Sequence, residues 1–225
     1  MLTSTEKVSQ LNVSGKVVSE VPRKYKMETR AAAVDQTRQR IVHATVEAHR
    51  ELGIQATSWD EIARRAGVGV GTVYRHFRSL DELLPACGQI VEQIIAIPTA
   101  AEIEAAFEDT RSNRARIDRL VRLVFELYER AAPFIHNVRS ERDQLPQLEP
   151  FHQQFQTWLD CLVNEALLPL SPTRPQRETA RALLDLSTWQ AFTQRDLTSV
   201  EIIQAVAQLI SAAVRLTPNA APART

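Results

Sequence analysis

The sequence predicts an all-α protein in which a small N-terminal three-helix unit precedes a larger C-terminal helical bundle. Glycines are concentrated where tight turns are needed: four of the six lie between Gly53 and Gly71, and none follows Gly88. Prolines at 98, 133, 146, 150, 169, 172 and 175 cut the remainder into helix-length pieces. Within those pieces apolar residues recur with the helical period, as in Ile117, Leu120, Val121, Val124, Phe125 and Tyr128. Phe151, Phe155, Trp158, Leu159, Leu162 and Ala166 form a second such stripe.

Taken in order, a Ser-, Thr- and Lys-rich segment opens the chain and shows no sustained periodicity, so residues 1–30 read as a flexible basic arm. Helices are predicted at about 36–52, 59–66, 70–76, 80–96, 99–107, 114–130, 133–143, 149–168, 176–194 and 198–216, with a tail at 217–225. Ser58 followed by Glu61 is a capping box and starts the helix at Trp59. Gly67 ends it, because glycine takes the left-handed conformation at little steric cost. Val68 plugs the turn, and Gly69 caps the helix that begins at Val70.

Two short helices joined by a glycine turn form a helix-turn-helix, a device for carrying side chains into the major groove of DNA. At about 100° per residue, Val73, Phe77 and Val70 fall on one side of the second helix, and Gly71, Thr72 and Arg75 on the other. The apolar side is expected to pack inward. Gly71 lets the backbone approach the duplex, Thr72 can bond a base or touch a thymine methyl, and Arg75 can donate two N–H groups to a guanine edge. Tyr74, His76, Arg78 and Thr57 flank that face and suit phosphate contacts, which fix orientation without reading sequence. Ser58, Gly69 and Val70, at the two helix starts, complete the expected DNA-binding set. The glycine run at 67–71 is no phosphate cradle, since a cradle follows a strand and Glu61 to Ala66 is helical.

The stretch from about Asp35 to Leu84 resembles the DNA-binding domain of the tetracycline-repressor (TetR) family of bacterial regulators. The likeness rests on Gly53-Ile54, Thr57, Asp60-Glu61-Ile62-Ala63, Ala66-Gly67-Val68, Gly71 to Phe77 and Asp81-Glu82-Leu83-Leu84. Gly69 replaces a Ser-like cap, and Leu80 stands where a phosphate-binding Lys is common. The resemblance implies a DNA-binding domain at 31–80 and a ligand-sensing and dimerisation domain at 81–216. It also implies a homodimer paired through the last two long helices, a double-stranded palindromic operator, and an unidentified small-molecule effector that releases the protein from DNA. Leu183, Leu184, Leu186 and Trp189, with Ile202, Ile203, Val206, Leu209, Ile210 and Val214, supply apolar surface compatible with that pairing. Phe125, Phe155, Trp158 and Trp189 are the candidates for lining an effector cavity. An alternative is a DNA-binding or architectural protein without an effector.

Charge supports the division. Residues 1–80 hold thirteen Lys and Arg against eight Asp and Glu, and the rest hold fourteen against nineteen, so +5 and −5 cancel. The basic part contains the helix-turn-helix, and Arg23, Lys24, Lys26 and Arg30 just ahead of it can neutralise phosphates. Cys87 and Cys161 are too few for a disulfide framework, and the first thirty residues lack the apolar core of a secretion signal, so a cytoplasmic protein is expected. The longest uncharged run, Ile202 to Val214, is shorter than the ~18 apolar residues of a membrane span. No pair among Cys87, Cys161, His136 and His152 has metal-ligand spacing. Neither a metal nor a cofactor is expected, nor is an enzyme: no serine-centred elbow, metal signature or phosphate loop occurs.

Overall fold

The computed structural model describes residues 23–215, with side chains from Arg30 onward. The first 22 residues, most of the predicted basic arm, and residues 216–225 lie outside the described residues, as do the side chains of Arg23, Lys24 and Lys26. The described secondary structure is entirely helical: α1 (Arg23–Leu52), α2 (Trp59–Ala66), α3 (Val70–His76), α4 (Leu80–Ile95), α5 (Ala100–Glu108), α6 (Asn113–Glu141), α7 (Glu149–Leu167), α8 (Arg174–Leu183), α9 (Leu186–Thr193) and α10 (Ser199–Arg215). Two short 3-10 turns, Pro146–Leu148 and Leu168–Leu170, flank α7.

Three elements differ from the sequence expectation. Helix α1 begins at Arg23 rather than near residue 36. Its first turns are rich in Lys, Arg, Glu, Met and Ala, good helix formers that carry no apolar stripe for a periodicity argument to detect. Pro133 does not separate two helices but lies exposed inside α6, where its missing N–H removes one backbone hydrogen bond. The predicted helix 176–194 is two helices. Asp185 caps α9 by accepting the Ser187 N–H at 2.8 Å, and the Leu184 carbonyl accepts the Tyr128 hydroxyl at 2.8 Å, so the chain turns there.

The chain divides into two compact units at Arg40 and Ile41. Of the first, residues 23–40 are the early turns of α1; their described side chains are exposed except for the half-buried Thr37, whose hydroxyl donates to the Ala33 carbonyl at 2.8 Å. The second unit holds two principal cores. The larger one packs α6 against α7 and α10, around Leu120, Val124, Leu162, Ala166, Val206 and Ile210, all 0% exposed. The smaller joins the end of α1 to α2, α3 and α4 through Ile41, Val46, Ile62, Val73, Phe77, Leu83 and Cys87, and Phe134 of α6 completes it. Most of the apolar surface expected at a dimer face is spent here: Leu184, Leu186, Ile202, Ile203, Val206, Ile210 and Val214 are buried, while Leu209 stays 48% exposed.

Within Leu80–Glu108 a window of 18 residues reaches a mean hydropathy of 1.3, as a membrane span does. That stretch is not one helix. Ala96 turns the chain at φ 47° and Pro98 follows, leaving α4 at 16 residues, below the ~20 that cross a bilayer.

Candidate nucleic-acid interface

The helix-turn-helix is built by its own caps. The Ser58 hydroxyl accepts the Glu61 N–H at 3.1 Å and satisfies a donor that the first turn of α2 leaves unpaired. Only half of the expected capping box forms. The Glu61 carboxylate turns instead to Arg64 and Arg65, each at 2.6 Å. Hydrogen bonds from those two guanidiniums hold its pKa down to about 2. Gly67 ends α2 at φ 63°, and the Val68 N–H bonds back to Ala63 at 3.0 Å. Val68 is half-buried against the small core, as the sequence predicts for the turn. Gly69, extended at φ −73°, starts α3 without a side-chain cap.

Helix α3 is fixed by Val73 and Phe77, both 0% exposed. Burying two such side chains is worth about 1.5–3 kcal/mol each, enough to orient a seven-residue helix that would not form alone. Val70 departs from the expected inward stripe. It is 38% exposed, because at the first position of α3 no neighbouring helix reaches across it. The opposite side carries Gly71, with nothing within 4 Å of where a Cβ would stand, and the exposed Arg75. Tyr74 is 47% exposed and stacks on Trp59 of α2, ring centroids 5.0 Å apart, so its ring is held at the surface.

Electrostatics separate the arginines of this region. Arg64 and Arg65 are paired with Glu61, Arg65 also with Glu51 at 2.9 Å, and Arg50 with Glu47 at 2.7 Å. Arg75 and Arg78 have exposed side chains and form no ion pair among the described residues. Thr57, Ser58, Gly69, Val70, Gly71, Thr72, Tyr74, Arg75, His76 and Arg78 all reach the surface; Thr57, Thr72 and His76 are half-buried. Thr57 donates its hydroxyl to the Gly53 carbonyl at 2.6 Å, which ties the loop between α1 and α2.

Helix α6 grips that loop, a contact that periodicity could not show. The Glu141 carboxylate accepts the N–H groups of Ile54 at 3.0 Å and Gln55 at 2.7 Å. Asn137, one turn earlier, donates to the His49 carbonyl at the end of α1 at 2.7 Å. Gln147 binds Asp81 of α4 at 2.8 Å. Glu141, Asn137 and Gln147 are unremarkable polar residues in sequence, and their meeting with these partners depends on the three-dimensional path of the chain.

The aromatic residues predicted as cavity lining gather around Tyr128. Phe125 stands 6.1 Å, Phe155 6.3 Å and Trp189 5.8 Å from its ring, and Trp158 is 5.6 Å from Phe155. Phe125 and Trp158 are buried, and Phe155 and Trp189 half-buried. A cavity of about 110 Å³ does open in this unit, beside the cluster, and of the four only Phe155 lines it.

A short helix with a buried apolar side, an outward arginine and a preceding helix capped to brace it defines a helix-turn-helix transcriptional regulator, a DNA-binding protein rather than an enzyme. Residues 41–87 match the bacterial regulatory proteins of the tetR family. The uncharacterised regulator YvdT of Bacillus subtilis is 25% identical over 153 residues, 66% of this chain and 77% of that protein. The repressor KstR of Mycobacterium tuberculosis is 29% identical over 198 residues, 84% of each. In fold, the chain resembles a TetR-family regulator from Mesorhizobium loti, with TM-score 0.57 and 16% identity over 81% of this chain and 96% of that one. It also resembles the regulator FadR of Bacillus subtilis in complex with stearoyl-CoA, with TM-score 0.54 and 18% identity over 78% and 98%.

Proposed function

We propose that this protein is a cytoplasmic bacterial repressor that binds a palindromic operator as a homodimer and is released by a small-molecule effector. The observation that carries the DNA reading is the two-sidedness of α3: Val73 and Phe77 are fully buried, while Gly71 and Arg75 lie open on the opposite side. Gly71, Thr72 and Arg75 read base edges, and Thr57, Ser58, Gly69, Val70, Tyr74, His76 and Arg78 surround them at the phosphates. One helix of seven residues spans only about 10 Å and reads few bases. A two-fold pair reads two half-sites about 34–36 Å apart, or a multiple of that spacing.

The functional division is a DNA-binding domain at 31–80 and a sensing and dimerisation domain at 81–216. Pairing runs through α8 to α10, where Leu209 at 48%, Val200 at 57% and Leu197 at 36% exposure remain after the monomer core is filled. FadR with stearoyl-CoA bound supports the effector reading by likeness of fold. An effector favours a conformation in which the two α3 helices no longer match successive grooves, and it shifts operator affinity only by its differential affinity for the two states, typically 1–3 kcal/mol. Footprinting on the promoter beside its own gene, with and without candidate compounds, tests the reading. A footprint that a compound removes is expected. A footprint that no compound removes overturns effector release in favour of a regulator without a ligand, and no footprint overturns both.

A further inference from the structure

The cavity of about 110 Å³ lies between the end of α1, α4, α6 and α7. Its walls are apolar, with Leu84, Ile95, Phe134, Phe151 and Phe155 prominent. Into the same space comes His49, only 5% exposed, whose ring Nε2 is buried and has no hydrogen-bond partner among the described residues. A buried polar atom left unmatched costs stability, which a ligand recovers by matching it. Asn137 also lines the cavity, and one of its two amide N–H groups is given to the His49 carbonyl.

Size, charge and hydrogen bonding narrow the occupant. A cavity of about 150 Å³ lined by Leu, Ile and Phe admits a benzene ring, whereas drug-sized ligands need about 300–1,000 Å³. The space here suits one ring or a short alkyl body. Burial keeps the imidazole neutral at neutral pH, and the acidic group on the lining, Glu92, repels anions. A hydroxyl satisfies Nε2 in either imidazole tautomer, donating to a bare nitrogen or accepting from an N–H.

We propose that this cavity binds a neutral molecule about the size of one ring and bearing one hydroxyl, which hydrogen-bonds to His49 Nε2. The inference rests on the effector reading above for its regulatory meaning, though not for the binding itself. His49 sits on α1, and the stretch of α6 that walls the cavity, Phe134 to Val138, leads directly into Glu141 and its hold on the loop before α2. Filling the cavity therefore presses on the joint that seats the helix-turn-helix.

Phenol and benzene are the probes, applied to the full chain carrying ¹⁵N-labelled histidine. Phenol is expected to shift the His49 Nε2 resonance. In H49L its affinity falls about tenfold, the worth of one such bond, while benzene binding is unchanged, and H49Q recovers part of the loss. Equal phenol affinity in wild type and H49L overturns the proposal, as does an unperturbed His49 resonance at saturating phenol. If H49L does not fold, the resonance in the wild-type protein decides alone. Phenol bound at His49 without a change in operator affinity upholds the site and defeats effector release through it. A different compound that releases the operator while phenol and benzene stay out of the cavity defeats the site and leaves effector release standing.

Discussion

Glu141 and Gln55 stand 86 positions apart in sequence and are joined by a hydrogen bond of 2.7 Å, carboxylate to backbone N–H. The same carboxylate takes the N–H of Ile54, so one side chain of α6 closes the turn out of α1. E141A is expected to lose about 1–3 kcal/mol of stability, because two donors lose their acceptor, and E141Q less, because one oxygen remains. Urea unfolding of the three proteins measures this. G53A is expected to be worse than the ~1–2 kcal/mol of a left-handed alanine: at φ 89° its Cβ also falls 2.7 Å from Glu141 Oε1. Unchanged unfolding midpoints in E141A mean that water replaces the carboxylate without loss.

Arg75 and Arg78, which form no ion pair among the described residues, are expected to behave differently. R75A, on the open side of α3, costs about 1–3 kcal/mol of operator affinity and relaxes preference at one base pair. R78A weakens binding to all sequences alike and lowers the salt slope by about one. Titrations against operator and random duplex at several salt concentrations separate the two; equal behaviour refutes the division into readers and anchors.

Acid should weaken the protein through His49. Burial lowers its pKa from 6.5 to about 4, so between those values the unfolded chain takes up a proton that the native protein refuses. Stability is intact above 6.5, falls as pH drops toward 4, and loses up to about 3 kcal/mol. Glu61, held near 2, acts in a lower window, losing its contribution as pH falls from 4.5 toward 2. Urea midpoints at about pH 7 and about pH 5 detect the first window, and H49L should flatten it. Equal midpoints in the wild-type protein show that the native state accepts the proton.

The two cysteines differ in reactivity. Burial pushes the Cys87 thiol up to about 12, so it stays protonated in the small core, whereas Cys161 is exposed. An alkylating reagent at neutral pH should modify Cys161 and spare Cys87 until the protein unfolds. Peptide mass mapping reads the outcome. Rapid labelling of Cys87 in the native protein means that the core between α1 and α4 opens on the timescale of the reagent.

How far the sequence could be read depended on how local each signal was. The bounds of α2 and α3 follow from Ser58, Gly67 and Gly69, which act within a few residues, and both helices fall where the caps place them. Pro133 misled because its effect depends on whether its side of the helix meets solvent, which only the packing of α6 decides. The break at Leu184 and Asp185 was hidden because it depends on Tyr128, 56 positions away. Val70 shows the limit of angular reasoning: an apolar residue on the correct side of a helix is buried only if a neighbour extends that far. His49, Asn137 and Glu141 carried no sequence signal, since their importance comes from what faces them.

Phe134 comes from α6 yet sits in the core that carries the recognition helix. A fragment ending near residue 80 would retain both cap signals and still lack this ring, Leu83 and Cys87, leaving an apolar hole open to water. The gene segment that encodes DNA recognition is thus not a transferable cassette. Its structural integrity is leased from the far end of a helix that begins more than thirty positions beyond it, so splicing, shuffling or minimal-domain engineering must carry α4 and α6 along.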